Sequence, residues 1–515
     1  MAIVFAMIVT LGFTLLRPTA PRDPRSPPVA SSTIPLIGHI IGFLRHRGAY
    51  LGTISSKHPS WPIFTLEIFS TKVYVATSPD TIRSLYANSK ALSFHPFTVA
   101  FSQRVLQLKK YVIDLMSANN SENPYMRAIH GAYNGLLPGP DLLQVNTSAL
   151  DSLADELNTI GTSEQPKTLL QWMRTSYAIS LSKAFYGPDN PILDNPSFIP
   201  LIWEFEESIP ILFANVFPSI LAPTAINAKK LLWPAFKEYY DKGLDKNATY
   251  FIKARAKAAR DSGIRNVDMG AFEITILFAS LTNAVPNAFS MLCNVFADPD
   301  LKAELCEEVA GVTTKTIIDG VTYMTIDTTA FTAKCPLLVA AWQETLRICV
   351  NVVSVRAVVE DVVTKDNFAL QKGGVVQLAA GRTHLSEEIW GKDAKVFNAR
   401  RFLDADNLTK EEKKARTLSP WGGGRHLCPG RHFAFTEVGG FVAMMVYGFE
   451  IEMQKGGGKV EVPPFRVQQV GENSRNPTHD IEVFIKRKEE FKDVRFRFNA
   501  DPALSIVQKP VVGVE

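Results

Sequence analysis

The chain has 515 residues, of which 46% are hydrophobic and 21% charged, so it has enough apolar residues for a large globular core. Its formal net charge of +4 is too small to predict nucleic-acid binding. The five cysteines are odd in number and show no paired spacing, which argues against a disulfide framework and favours a reducing compartment.

The first 16 residues carry no charge, and residues 1–16 are predicted to be an N-terminal membrane anchor. As a helix this segment would be about 24 Å long, somewhat shorter than the roughly 30 Å hydrocarbon core of a bilayer. Arg17, Arg22 and Arg25 follow, so the positive-inside tendency places the rest of the chain in the cytosol. A cleaved signal peptide is the alternative, although a basic n-region is missing. Residues 17–33, rich in Pro and Arg, form a predicted stiff linker.

Three segments of the chain that follows have clear structural patterns. Two short apolar runs within residues 63–76 predict a β-hairpin. Residues 198–223 are rich in large apolar and aromatic side chains, and their four prolines predict short helical pieces, which either are buried in the core or cover a ligand. The longest predicted helix spans about residues 268–296.

The most informative stretch, residues 419–431, has the sequence SPWGGGRHLCPGR. Its three consecutive glycines let the backbone turn tightly and approach a flat ligand closely. Cys428 follows just before an apolar helical segment, where backbone N–H groups favour the thiolate. A thiolate on a rigid loop is the proximal ligand that an oxygen-activating haem requires. Taken alone, three glycines and a cysteine predict a surface loop with a free thiol equally well.

The complete pattern resembles the haem-binding signature of the cytochrome P450 family, in which an aromatic residue, a glycine, a basic residue, the cysteine and a second glycine have fixed spacing. The matching residues are Trp421, Gly424, His426, Cys428 and Gly430. The family usually has Phe in place of Trp421. The resemblance implies a mainly α-helical fold with small β-sheets and haem b between a long distal helix and the Cys428 loop. It also implies that Cys428 is the iron ligand and that His426 contacts a haem propionate.

Glu344 and Arg347 lie three residues apart on a predicted helix, so their side chains face each other. Such a pair alone is usually a surface salt bridge of little energetic value. Together with Arg401, however, the pair is similar to the family's Glu-x-x-Arg helix and Pro-Glu-Arg-Phe segment. The resemblance implies a buried structural triad behind the haem loop.

Two arginines are candidates for propionate binding. Arg356 occupies the strand position from which the family sends an arginine to a propionate, and a plain exposed strand arginine is the alternative. Arg127 lies on a helix that usually supplies a tryptophan and a basic residue for this purpose, but the tryptophan is missing here. His130 is an alternative to Arg127, and a solvated helix face is an equally good interpretation.

The predicted distal helix departs from the family pattern. Thr282 and Asn283 stand where the family commonly has an acid and an alcohol that deliver protons to oxygen, and Pro286 is expected to bend the helix. The segment is similar to that of bile-acid sterol hydroxylases and prostacyclin synthase, where an Asn also precedes a nearby Pro. That subgroup contains both hydroxylases and an isomerase, so Asn283 does not decide between the two reactions.

The resemblance covers residues 34–488, the predicted catalytic domain, and leaves 489–515 as an extension of unknown role. It implies a monooxygenase that inserts one oxygen atom from O2 into a lipophilic small molecule (a terpenoid, sterol, polyketide or alkaloid). The electrons would come from NADPH through a reductase. The family uses the region of residues 198–223 as a lid that touches the membrane. By analogy, this is a microsomal enzyme of the endoplasmic reticulum, in fungal secondary metabolism.

Two other functions remain open at this point. The first is a haem-thiolate isomerase, dehydratase or coupling enzyme that needs no external electrons, because the usual acid and alcohol are missing. The second is a haem-binding sensor or transport protein without turnover.

Overall fold

The computed structural model describes residues 23–32, 38–69, 71–118, 123–403, 408–409, 412–413, 416, 418–468 and 472–499. The predicted anchor, residues 17–22 and 33 of the predicted linker, and residues 500–515 lie outside the described residues. The end of the linker lies along the first strand. There the Ala30 N–H donates to Thr65 O at 2.9 Å and the Thr65 N–H donates to Pro28 O at 2.7 Å.

The described chain is mainly helical, which confirms the predicted fold class. Short 3₁₀ helices connect several of the longer elements; they include Tyr133–Leu136, Ala380–Leu385, Ala399–Phe402 and Gly424–His426. The α-helices are α1 Gly38–His46, α2 Tyr50–Lys57, α3 Pro79–Ala87, α4 His95–Arg104, α5 Lys110–Ser117, α6 Pro124–Ala132, α7 Pro140–Asn158, α8 Leu169–Tyr186, α9 Pro191–Asp194, α10 Ile199–Ala214, α11 Pro218–Leu221, α12 Pro223–Asp241, α13 Tyr250–Asp261, α14 Asn266–Ala297, α15 Pro299–Ala310, α16 Phe331–Lys334, α17 Pro336–Cys349, α18 Glu387–Trp390 and α19 Arg431–Gly448.

Small β-sheets complete the described part of the fold. The largest has the strand order β1-β2-β10-β7-β3; β1 and β2 form the predicted antiparallel hairpin, and β2 pairs in parallel with β10. Two further sheets have the orders β11-β12-β4 and β13-β6-β5, and β8 pairs with β9. The strands are β1 Ile63–Ile68, β2 Thr71–Ala76, β3 Leu92–Ser93, β4 Gln165–Thr168, β5 Thr313–Ile318, β6 Val321–Asp327, β7 Ser354–Val358, β8 Val362–Val363, β9 Ala369–Leu370, β10 Val375–Leu378, β11 Phe449–Met453, β12 Glu482–Arg487 and β13 Val494–Asn499.

The longest described helix, α14, has 32 residues and includes the predicted segment 268–296. Of the helices within the described ranges, it is the one long and apolar enough to cross a membrane. However, 72% of its apolar window is buried inside the protein, as expected for a core helix. The helix continues through Pro286 although proline cannot donate a backbone hydrogen bond, because Val285 and Ala288 beside it are fully buried.

The prediction that all four prolines interrupt residues 198–223 is wrong for Pro210, because α10 continues through it. Phe205, Ile209 and Phe213 of the same helix are buried, and this packing outweighs the loss of one backbone hydrogen bond. The other three prolines lie in the first turns of α10, α11 and α12, where the backbone N–H has no helical partner in any case.

The last described strand, β13, lies within the predicted extension and pairs in parallel with β6. Phe496 and Phe498 alternate along it and are both buried, so one face of the strand points to the core. They pack on two glycines of α19, where an added Cβ would lie 3.3 Å from Phe498 at Gly440 and 2.5 Å from Phe496 at Gly448. Residues up to Asn499 therefore belong to the folded body of the protein.

A matched pair of glycine substitutions tests the packing of α12 on α14. Gly270→Ala should destabilise the protein by about 1–3 kcal/mol, because the new Cβ would lie 2.6 Å from Trp233 O and 2.8 Å from Lys237 N. Gly131→Ala, in α6, adds the same methyl group with no atom within 4 Å, so it should be neutral or mildly stabilising. Thermal unfolding measures both variants, and equal midpoints would contradict the close contact.

Candidate functional site

The loop that presents Cys428 is closed by backbone hydrogen bonds and shaped by glycines. The Cys428 N–H donates to Trp421 O at 3.0 Å. Gly422 and Gly424 have φ angles of +75° and +64°, which only glycine adopts readily. An added Cβ on Gly424 would lie 2.6 Å from the carbonyl oxygen of Tyr86, so the loop also packs directly on the end of α3.

The Cys428 side chain is partly accessible, and its thiol is subject to opposing electrostatic effects. Burial against protein atoms raises the pKa of the thiol, while the N–H groups of Gly430 and Arg431 and the charge of Arg431 lower it. The thiolate stabilisation predicted for this loop is therefore present but weaker than the effect of burial. A metal cation bonded to the sulfur would complete the deprotonation.

Trp421 connects the Cys428 loop to helix α17. Its ring is half-buried, and its centroid lies 6.2 Å from that of Trp342, which is itself only 1% exposed. Phe435, on the helix that follows the loop, lies 6.5 Å from the same Trp342 ring. Tryptophan at this position thus forms part of an aromatic cluster between α17 and α19.

The structure brings Glu344, Arg347 and Arg401 together. The Arg347 Nε and Nη2 atoms donate to the two carboxylate oxygens of Glu344 at 2.7 Å each, and both side chains are fully buried. Arg401 Nε lies 3.4 Å from Glu344 Oε1, and its Nη2 also pairs with Asp393 at 2.7 Å. Asp393 is a fourth member of the network, and the sequence patterns did not predict it.

His384, a fully buried histidine, connects this network to the start of the cysteine loop. Arg347 Nη1 donates to His384 O at 2.8 Å, and the Ser419 N–H donates to His384 Nε2 at 3.1 Å. Since Nε2 accepts, the ring proton lies on Nδ1 and is donated to Val350 O at 3.0 Å. Burial lowers the pKa of His384 to about 4, which keeps the ring neutral. A lone histidine outside any motif offered no sequence signal for this role.

Arg356 lies inside the site, so the alternative of an exposed strand arginine is wrong. It is 4% exposed, and its guanidinium donates to Ser354 Oγ at 2.8 Å and to Gly423 O at 3.3 Å. It also lies over the rings of Tyr86 and Phe94, 5.3 and 5.5 Å from their centroids. No carboxylate pairs with it in the part of the chain that the structure describes.

His426 lies in a group of basic side chains. Its ring is 6.4 Å from that of His130 and 5.4 Å from that of Phe94. The His426 side chain is exposed, but the protein atoms around it lower its pKa, and every charge that adds to the shift is basic: those of Arg356, His130, His95 and Arg425. A ligand that carries carboxylates would offset this excess of positive charge, so the group suits haem propionates.

The two candidates on α6 are placed differently. His130 reaches the ring of His426, although its own side chain is exposed. Arg127 is also exposed, and its side chain makes no hydrogen bond or ion pair with a described residue. His95, from α4, adds a buried Nε2 atom that has no hydrogen-bond partner among the described residues. The structure therefore favours His130 and His95 over Arg127 as members of the basic group.

Thr282 and Asn283 lie on the one part of α14 where exposure is concentrated. The helix is largely buried, but Ala279 is exposed and both Thr282 and Asn283 are half-buried. These residues are spaced i, i+3 and i+4, so they share one helix face. Asn283 Nδ2 donates to Ala279 O at 3.5 Å, and its Oδ1 accepts a hydrogen bond from outside the helix.

Aromatic side chains from three helices meet beside this face. The Phe278 ring of α14 lies 6.2 Å from Phe101 of α4 and 5.9 Å from Phe205 of α10. Farther along the chain, Ile220 of α11 is 73% exposed, and Phe217, the residue before this helix, is 71% exposed. For residues 198–223 the buried alternative is confirmed for α10, whereas α11 and the residues just before it are exposed, and a role in covering a ligand stays a prediction.

Comparisons with known proteins identify relatives of this chain in sequence and in fold. The family model for cytochrome P450 matches residues 227–476. A cytochrome P450 monooxygenase of Gibberella zeae is 30% identical over 86% of this chain and 84% of its own length. The 7-alpha-hydroxycholest-4-en-3-one 12-alpha-hydroxylase of Oryctolagus cuniculus is 24% identical over 91% of this chain and 94% of its own length. The solved structure of retinoic acid bound cyanobacterial CYP120A1 has a TM-score of 0.66, with 18% identity, over 90% of this chain and 99% of that chain.

The expected role of Cys428 has a direct spectroscopic test. Cys428→Ser should abolish the long-wavelength Soret band of the reduced carbonyl complex, because a serine hydroxyl does not supply a thiolate. Cys306→Ser, at another partly accessible cysteine, is the control and should retain the band. A band that survives Cys428→Ser would contradict the assignment.

His384 should make the protein sensitive to acid. Its pKa is lowered to about 4 in the folded state, so the unfolded chain binds the proton first and stability should fall as pH drops from about 6.5 to 4. His384→Gln should remove this dependence of stability on pH. Thermal unfolding midpoints of the variant and the wild type, measured across that pH range, test the expectation. His46→Gln, at an exposed histidine, is the control. Parallel pH profiles for wild type and His384→Gln would disprove the linkage.

Proposed function

We propose that this chain, which belongs to the cytochrome P450 family, inserts one oxygen atom from O2 into a lipophilic small molecule with electrons that NADPH supplies through a reductase. Membership of the family makes the protein an oxidoreductase and implies a haem iron with thiolate ligation. One observation supports the proposal best. The Cys428 loop, which glycines shape, lies beside a group of basic side chains, and no carboxylate pairs with that group in the described structure.

The residues of this site suit haem b. Cys428 would bond the iron, and Trp421 and Gly424 would shape the loop beneath it. Arg356 and His426, with His130 and His95 close by, would bind the propionates, since they offer donors and positive charge without an acidic partner among the described residues. When bound, a haem with a thiolate ligand supplies the cleavage of the O–O bond.

The surroundings of the site favour an apolar substrate. Phe101 and Phe278, which are both partly exposed, form an aromatic surface next to the exposed face of α14, and the buried Phe205 packs against Phe278; such a surface excludes water and binds apolar groups. The name of the rabbit relative describes a hydroxylase of a steroid, which is consistent with a terpenoid or sterol substrate here. Thr282 and Asn283 would order the water that supplies protons, since neither side chain is an acid near neutral pH.

The exposed apolar residues point to a membrane. Phe217, Ile220 and Leu221 are each more than half exposed, and a water-facing group of this kind favours contact with a lipid surface. Together with the uncharged residues 1–16, they support a location at the endoplasmic reticulum membrane with the catalytic domain in the cytosol. A substrate dissolved in the lipid would then reach the site through the lid.

The side of the molecule that presents Cys428 is suited to an acidic redox partner. Arg425 is exposed and lies three residues before the cysteine. Arg431 instead donates to Cys428 O at 2.9 Å, so it stabilises the loop. An exposed arginine near the proximal side of the haem would attract an acidic surface of a reductase and raise the rate of encounter.

One observation favours a second function, an isomerase, dehydratase or coupling reaction without external electrons. The exposed face of α14 has a threonine and an amide where an acid and an alcohol are common in the family, so proton delivery to oxygen has no acidic side chain on that face.

Labelled oxygen separates the two functions. We would incubate the enzyme and its reductase with a library of lipophilic metabolites under labelled O2, with and without NADPH. A product that gains one labelled atom only with NADPH is the expected result for a monooxygenase. An isomeric or dehydrated product that forms without NADPH would refute the proposal and establish the second function.

A further inference from the structure

A buried serine connects the exposed face of α14 to the last loop before β12. The Ser474 hydroxyl donates to Asn283 Oδ1 at 3.2 Å and accepts from Asn287 Nδ2 at 3.4 Å. Ser474 and Asn287 are 1% and 3% exposed. The two asparagines are one helical turn apart and flank Pro286, so the serine joins them across the turn in which proline removes a backbone hydrogen bond.

The position of Ser474 is set by the core and not by its own loop. Ser474 forms an antiparallel bridge with Val350, at the end of α17. On one side of it the Asn351 N–H donates to Asn473 O at 2.9 Å, and on the other the Arg475 N–H donates to Cys349 O at 2.8 Å. The same helix holds the buried Glu344–Arg347 pair, so backbone hydrogen bonds join the segment that contains Ser474 to the helix with these buried charges.

This arrangement determines which end of the Asn283 amide is available. An asparagine side chain offers one acceptor oxygen and two donor hydrogens, and its partners decide how it turns. Here Oδ1 accepts from Ser474, and one hydrogen of Nδ2 is directed to Ala279 O at 3.5 Å. The second Nδ2 hydrogen remains for the helix face that Asn283 shares with Ala279 and Thr282.

We propose that Ser474 is a positioning residue that fixes the Asn283 amide as a hydrogen-bond donor toward a ligand on the distal side of the haem. Without the hydroxyl, the amide can rotate and present Oδ1, an acceptor, to the same ligand. The inference rests on the haem site proposed above but not on the reaction that the enzyme performs. It gives a buried serine in the loop before β12 an effect on that ligand through a second side chain.

The stretching frequency of carbon monoxide bound to the reduced haem tests the proposal. A donor near the ligand oxygen stabilises negative charge there and lowers the frequency. Wild type should show one low-frequency band, and Ser474→Ala should shift it upward or split it as the amide rotates. Ser474→Thr retains the hydroxyl and should restore the wild-type band. Asn287→Ala removes a donor to the serine but leaves the hydroxyl, and should cause a smaller shift.

Two controls separate positioning from loss of structure. Ser180→Ala removes another buried hydroxyl, which donates to Ala149 O at 2.7 Å in the core, and should leave the band unchanged. Adding Ser474→Ala to Asn283→Ala should have no further effect, because the serine acts only through that amide. An unshifted band in Ser474→Ala, in protein that retains the long-wavelength Soret band, would overturn the proposal, as would a further shift in the double variant.

The carbon monoxide band tests the role of Ser474 whether or not the enzyme turns over a substrate. If labelled oxygen is not incorporated but the band still responds to Ser474→Ala and recovers in Ser474→Thr, the monooxygenase function is wrong and the role of Ser474 stands. If labelled oxygen is incorporated and the band does not change in Ser474→Ala, the monooxygenase function stands and the proposed role of Ser474 is wrong.

Discussion

The fully buried pair of Glu344 and Arg347 is the interaction on which the proximal half of the structure depends. A carboxylate and a guanidinium at 0% exposure are tolerable only because each satisfies the other, and removing one partner from such a pair typically costs about 3–5 kcal/mol. The remaining Arg347 donors go to backbone carbonyls, including that of His384, and His384 in turn accepts the N–H of Ser419. The start of the cysteine loop is thus hydrogen-bonded, through one histidine, to the most desolvated charges in the described core.

Asn283 depends on further contacts at the same C-terminal end of this helix. The last turn of α17 anchors the loop that contains Ser474, and this serine sets the orientation of Asn283. One helix therefore supports both the loop of the expected iron ligand and the Asn283 amide. This arrangement explains how a helix that contains a proline beside Asn283 can still present a defined polar group, because the contact that orients the amide comes from outside the helix.

The parts of the site that could be predicted from sequence are those in which the chemistry is local. The cysteine loop is one, because the spacing of its glycines, basic residue and cysteine is contained in about a dozen residues, and the Glu344–Arg347 pair is another, because i,i+3 geometry follows from helix periodicity. His384, Ser474 and the contact of His130 with His426 depend on residues that are far apart in sequence, and each is an isolated polar residue in an unremarkable context. Pro210 shows that the fold, too, depends on contacts that local sequence does not reveal, since the buried face of α10 keeps that helix continuous through the proline.

Strand β13 has a consequence for how the protein is made. Phe496 and Phe498 pack on Gly448 and Gly440 of α19, the helix that begins three residues after Cys428. Those phenylalanines are synthesised more than forty residues after the helix that they cover, at the very end of the described chain. During translation the helix behind the cysteine loop therefore stays partly uncovered until that final strand leaves the ribosome. Packing behind the cysteine loop is thus expected to become stable only after β13 has been synthesised, and until then the uncovered apolar surface favours aggregation.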